Sequence, residues 1–197
     1  MAKKLLITGF DPFGGDTINP SWEAVRILPD VVGEFELTKI ELPTVFEKGA
    51  QTALDIAQEL NPDVIICVGQ AGGRPAVTPE VIGINLREAR ISDNAGNQPE
   101  NTPINPGGPA AYFATIPVRE IVKSINDAGI PSSLSYSAGA FVCNDVLYTL
   151  LAHYDSTSTK VGFIHVPYSD EQGKEPFMKM DDIVKGLTVA IENLDVL

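Results

Sequence analysis

Apolar runs of strand length alternate along this chain with segments whose apolar positions recur at helical spacing, a pattern that predicts a largely parallel sheet covered on both faces. The runs fall at about 3–8, 36–42, 63–69, 81–86, 132–137 and 161–167. Helices are expected between them. Asn19 is placed as an N-cap with Pro20 at the first helical position, ahead of Trp22, Ala24, Val25 and Leu28. Further helices are expected over about 45–60, 117–128, 143–154 and 177–194. In the last, Met180, Ile183, Val184, Leu187 and Ile191 share one face, so it covers the sheet. The expected fold is a three-layer α/β/α sandwich with a largely parallel twisted sheet. At 197 residues a single catalytic-sized domain over 1–197 accounts for the chain, which shows no repeat, no low-complexity tract and no linker.

One stretch resists regular structure. Between Ser92 and Pro109 come Asn94, Gly96, Asn97, Pro99, Asn101, Pro103, Asn105, Pro106, Gly107 and Gly108. A loop of this length within a compact domain is either a substrate-side element or a mobile surface excursion.

Composition narrows the partners. With 14 Lys+Arg against 26 Asp+Glu the net charge is −12, and no basic run interrupts it, so nucleic acid and anionic lipid are repelled. The apolar run near the start stops at Asp11, and no stretch approaches the roughly 20 apolar residues of a membrane helix. A soluble, cytoplasmic protein is expected. Cys67 and Cys143 form no CxxC pair and are expected to be free thiols. His153 and His165 lie in no HExxH motif, so neither a metal nor another cofactor is expected.

The chemistry centres on Cys143. On a helical wheel it lies among Val146, Leu147, Leu150, Leu151 and Tyr154, which suits a small buried hydrophobe. It also occupies the first turn after Gly139, where free backbone N–H groups and the helix dipole favour a thiolate and can bind an oxyanion. Both readings stand on sequence alone. Cys67, inside an apolar strand, reads as core. A cysteine nucleophile needs a base. His153, ten residues along the same helix, would be about 15 Å away. His165 lies near the carboxyl end of a strand, where open α/β sheets build their sites, and is the candidate base by elimination. Spacing cannot select the carboxylate that would orient it, although Glu80 stands between a Gly-rich turn and a strand.

Four blocks resemble the pyroglutamyl peptidases, a family of cysteine peptidases acting on peptide N-termini. They are Gly9–Gly15 with Asn19-Pro20-Ser21, Gly69–Arg74 leading to Pro79-Glu80, Phe141-Val142-Cys143-Asn144, and Phe163–Pro167. The resemblance covers essentially the whole chain. It implies a Glu80, Cys143, His165 triad and hydrolysis of the amide after an N-terminal 5-oxoproline through a thioester. It implies further that Arg90 and the Cys143 N–H meet the oxyanion, and that Phe10, Phe13 and Phe141 wall the substrate pocket with Asn19 and Gln70 nearby. N-terminally pyroglutamylated peptides are the implied partners and a homodimer or homotetramer the implied assembly. Ser92 and Ala140 depart from the residues common at those positions in the family.

Two other functions fit parts of the pattern. GFDPFGG could serve a noncatalytic nucleotide- or phosphate-binding protein, although it lacks the Gly-Lys-Ser/Thr ending and the GxGxxG spacing. A glutamine amidotransferase-like hydrolase would share the Cys-His-Glu logic.

Overall fold

Strands covered on both faces read as unbroken apolar sequence rather than as alternation, and the centre of this protein is built from such strands. The computed structural model describes residues 2–195. In chain order the strands are β1 (Lys3–Phe10), β2 (Val31–Val32), β3 (Phe35–Leu42), β4 (Val64–Gln70), β5 (Thr78–Pro79), β6 (Ile82–Ile84), β7 (Ala111–Phe113), β8 (Lys160–Val166), β9 (Tyr168–Ser169) and β10 (Phe177–Met178). The helices are α1 (Pro20–Ile27), α2 (Lys48–Leu60), α3 (Val118–Asp127), α4 (Val142–His153) and α5 (Met180–Glu192).

The main sheet has the order β2-β3-β1-β4-β8-β5. Its four inner strands run parallel, and short antiparallel strands close each edge. Successive side chains of each inner strand enter opposite cores. Leu5, Ile7, Ile66 and Ile164 pack with residues of α1, α3 and α5. Leu6, Ile65, Cys67 and Phe163 pack against α2 and α4 on the other face. This is the expected three-layer α/β/α arrangement. The Asn19 cap is also as expected, its side chain accepting the Ser21 N–H at 3.1 Å.

The structure differs from expectation at the margins of the elements. Residues 132–137 form no strand; Ser132 and Ser135 make only isolated bridges to Val77 and Glu80. The run at 81–86 shortens to β6, which pairs with β7 outside the main sheet. Three polar bonds explain this, because the buried Asn144 side chain takes the backbone of Ile84 and Leu86 as its partners (Ile84 N 2.9 Å, Ile84 O 2.8 Å, Leu86 O 3.0 Å). Helix α2 begins at Lys48 rather than 45. Glu47 adopts a positive φ of 62° in a tight turn closed by Lys48 N donating to Phe46 O at 2.6 Å. Helix α5 begins at Met180 because Phe177 and Met178 pair with β9.

The Asn- and Pro-rich stretch from 92 to 109 is irregular, as its composition dictates, but it is tied down. Asp93 accepts the backbone N–H groups of Phe46 (2.9 Å), Ala95 (2.9 Å) and Asn97 (2.8 Å) and the Asn97 side-chain amide (2.9 Å). Asn94 donates from its side chain to Asp11 Oδ1 (3.1 Å) and Pro12 O (2.8 Å), so the stretch braces the 9–15 loop.

Burial alone would push the Asp93 carboxyl up, but these donors outweigh it and hold the group below the usual carboxylate range. A carboxyl depressed in the folded state contributes stability above its unfolded value of about 3.9, and that contribution is lost as pH falls through the folded value. An Asp93→Asn variant should reproduce the acid loss at neutral pH, since an amide can accept on one side only. Amide hydrogen exchange at Ala95 and Asn97 should accelerate by an amount worth about 1 kcal/mol, and unchanged exchange would show that the carboxylate does not hold the loop.

Candidate active site

The site forms where the carboxyl ends of β4 and β8 meet the amino end of α4. Gly69 and His165 are register partners on these strands. β5 lies antiparallel to β8 and delivers the next residue, Glu80, whose backbone N–H donates to Phe163 O at 2.9 Å. Cys143 is the second residue of α4, reached through an extended Phe141. Its sulfur occupies space that only a glycine leaves open, because a Cβ on Gly69 would stand 2.9 Å from Cys143 Sγ and 2.8 Å from the Phe163 ring. Thiol and imidazole therefore face one cavity from neighbouring positions.

Glu80 is fully buried and still bears a charge. Desolvation pushes its carboxyl up, but hydrogen bonds and attraction from His165, with further help from Ser135 and Arg74, hold it below the ordinary range. Its Oε1 lies 2.7 Å from His165 Nδ1 and 2.8 Å from an Arg74 guanidinium nitrogen. An ionised carboxylate only accepts, so Nδ1 carries a proton and Nε2 is the ring nitrogen left unengaged by Glu80. Arg74 is fixed in turn by Thr78 Oγ1 (2.8 Å) and Ser137 O (2.9 Å).

The cavity holds about 240 Å³. Phe10, Phe13, Asn19, Gln70, Phe141, Cys143 and His165 all line it, together with Thr44, Arg74 and the backbone around Gly72 and Gly139. Phe13 and Phe141 pack at 6.0 Å between ring centres, and Phe46 meets the far side of Phe141 edge-on at 5.2 Å. Glu80 lies behind this wall, on the protein side of His165.

The structure thus brings together eight of the nine residues singled out from sequence. Arg90 stands apart, exposed and outside the cavity lining, although the next side chain, Ile91, reaches within 3.7 Å of a Cβ built on Gly14, the neighbour of the cavity-lining Phe13. Arg74 is the guanidinium at the site. Its only signal in the sequence was membership of the Gly69–Arg74 block, since nothing in a six-residue separation announces its contact with Glu80. His153 is exposed at the far end of α4, beside Gln58, and Cys67 is fully buried.

The thiol itself departs from the expectation raised by the helix terminus. Cys143 precedes the first hydrogen bond of its turn, from Asp145 N to Phe141 O at 3.2 Å, so its N–H group is free of the helical ladder. Yet desolvation by the surrounding apolar wall, with the negative Glu80 behind it, pushes the thiol up to about 12 against the opposing pull of Arg74 and its own N–H. Cys143 as a residue is half-buried and lines the cavity. Burial thus works against the thiolate that the helix terminus would favour.

A thiol at a helix terminus, an imidazole on a strand end and a buried carboxylate behind it, all on a mostly parallel sheet, define a thiol-dependent hydrolase. Comparison with known proteins makes this specific. The profile of the family described as pyroglutamyl peptidase matches residues 3–195, and the chain belongs to that family. Pyrrolidone-carboxylate peptidases of Bacillus cereus strain AH820 and of Bacillus anthracis are 45% identical over 197 residues, covering 96% of this chain and 92% of theirs. The crystal structure of pyroglutamyl peptidase I from Bacillus amyloliquefaciens is 46% identical and covers 100% of this chain and 97% of its own, with a TM-score of 0.95. Pyrrolidone carboxyl peptidase from Thermococcus litoralis is 36% identical, with a TM-score of 0.93 over 98% of this chain and 93% of its own. Neither the nucleotide-binding alternative nor the amidotransferase alternative finds support in these relatives.

The raised thiol predicts slow alkylation at neutral pH. Iodoacetamide modification of Cys143 should accelerate with pH well beyond the value of about 8.5 typical of a free cysteine. Thiolate difference absorbance against Cys143→Ser checks this, and a titration on the acid side of that value would overturn it.

Proposed function

We propose that this protein is a cysteine peptidase that hydrolyses the amide bond after an N-terminal pyroglutamyl residue. The supporting observation is the 2.7 Å contact between Glu80 and His165 on the same wall as the Cys143 sulfur, at an aromatic cavity of a size suited to one small ring. On this reading His165 Nε2 takes the Cys143 proton as the sulfur attacks the scissile carbonyl carbon. The new oxyanion is met by the Cys143 backbone N–H at the amino end of α4. His165 then gives its proton to the departing amine, the C–N bond breaks and a thioester remains. Water, deprotonated by the same imidazole, cleaves the thioester to release 5-oxoproline and the free thiol. Glu80 keeps Nδ1 protonated and stabilises the imidazolium throughout.

A pyroglutamyl ring is a neutral lactam with one N–H and one carbonyl, matched to walls made by Phe10, Phe13 and Phe141 with the amides of Asn19 and Gln70 among them. An ordinary N-terminal ammonium entering the same walls would lose its hydration without gaining a partner, so it is excluded. Arg90 would join the oxyanion by swinging in from the rim when substrate binds. The reading carries with it a cytoplasmic location, where a catalytic thiol stays reduced, and assembly as a homodimer or homotetramer. No described helix is long and apolar enough to cross a membrane.

Steady-state rates on a pyroglutamyl amide reporter test the assignment. Cys143→Ser should abolish turnover with the fold intact. His165→Asn should lower kcat by about a hundredfold or more, and Arg90→Ala should lower kcat with little change in KM. Iodoacetamide should inactivate and chelators should not. Retained turnover in Cys143→Ser, or ammonia release from glutamine in place of lactam cleavage, would replace this reading with another.

A further inference from the structure

Beside the cavity, three side chains form a relay whose direction is fixed by chemistry. Gln172 ends a single 3-10 turn over Asp170–Gln172, and its Oε1 accepts the Ser169 backbone N–H at 3.0 Å. A backbone N–H can only donate, so this end of the amide must be the oxygen. The Gln172 Nε2 therefore points the other way, where Asp16 Oδ2 lies at 3.3 Å. Asp16 is a carboxylate ion-paired with Lys174 and can only accept, which agrees with that orientation. The remaining Nε2 hydrogen reaches Gln70 Oε1 at 2.9 Å. Gln70 lines the cavity. With its oxygen engaged by Gln172, its own NH2 is the end left for a ligand.

We propose that Gln172 is a positioning residue that fixes the polarity of the Gln70 amide, so that the pocket presents an N–H donor where the ring carbonyl of a lactam is to bind. Gln172 does not line the cavity itself; it acts through Gln70. An amide free to rotate would offer donor and acceptor alike and would read the two edges of a lactam with equal ease. Held by the relay, it accepts only the ring placement that brings the carbonyl towards it, and that placement sets where the scissile bond falls relative to Cys143. This deepens the peptidase reading and rests on it for the identity of the ligand.

The substitution Gln172→Glu separates this role from a structural one. A carboxylate can still accept the Ser169 N–H and keep the turn capped, but it has no hydrogen to give Gln70, whose amide should rotate to offer its oxygen to the pocket. The double variant Gln172→Glu/Asp16→Asn removes the repulsion between neighbouring carboxylates while leaving the donor to Gln70 absent. Rates are measured on a pyroglutamyl amide and on its thiolactam counterpart, whose ring sulfur is a weak acceptor. Wild type should prefer the lactam strongly. Both variants should raise KM for the lactam by about tenfold or more and bring the lactam-to-thiolactam ratio towards one. A merely structural role predicts recovery in the double variant.

A second readout does not depend on turnover: the Gln70 side-chain amide resonance in nitrogen-15-labelled protein, assigned with Gln70→Glu, should move in both variants. An unchanged substrate ratio in folded Gln172→Glu, or an unmoved Gln70 resonance, overturns the proposal. If wild type fails to cleave the lactam while the Gln70 resonance moves as expected, the relay stands and the peptidase reading falls.

Discussion

The hydrogen bond between Glu80 and His165 constrains the rest of the site, because it joins a fully buried carboxylate to an imidazole that lines the same cavity as the Cys143 thiol. A carboxylate removed from water costs several kcal/mol unless donors surround it. Here His165 Nδ1 and Arg74 converge on the same oxygen. Their convergence keeps Glu80 ionised, and the ionised carboxylate holds a proton on Nδ1 and leaves Nε2 as the unengaged ring nitrogen. The short strand β5 exists at the sheet edge to hold this arrangement. Its antiparallel pairing with β8 sets Glu80 directly after the register partner of His165.

The amino end of α4 answers two demands that conflict. Activation of a thiol calls for free N–H groups and positive potential, whereas selection of a neutral ring calls for a dry, apolar wall. The wall prevails in the resting structure and pushes the thiol up. The two residues after Cys143 secure its position. Asn144 binds the backbone around β6, and Asp145 pairs with Arg87 Nε at 2.8 Å and accepts Glu47 N–H at 2.7 Å. Cys143 thus rides on a helix end whose next two polar side chains are both directed into the protein. Glu47, held in its positive-φ turn by Asp145, leads out of the segment that carries Thr44 to the cavity and Phe46 to the back of Phe141.

Recognition follows the same logic of directed polar groups in an apolar setting. The phenylalanine walls supply area without direction. Asn19 is held in place, its oxygen accepting from Ser21 and one Nδ2 hydrogen donated to Asp11 O at 3.0 Å. Gln70 is the amide whose polar end is shaped by a neighbour outside the cavity. The 92–109 stretch contributes from a further remove: Asn94 holds Asp11 and Pro12, and thereby the loop from which Phe13 enters the pocket.

Some of this was legible in the residue order because it rests on local periodicity or on single-residue chemistry. Unbroken apolar runs declared the inner strands, since both of their faces are covered. Asn19-Pro20 declared the start of α1, since a cap acts within one turn. Cys143 could be preferred over Cys67, and His165 over His153, on position within their elements, and the family blocks supplied Glu80. What lay beyond reach was decided by contacts between distant segments. The length of β6 depends on Asn144, some 60 residues later. The role of Arg74 depends on a turn that folds it back on Glu80, and the polarity of Gln70 depends on a side chain 102 positions away. Helical and strand periods carry no information about such pairings; which groups finally meet, and which end of an amide faces a ligand, is settled only when the packed layers bring them within hydrogen-bond reach.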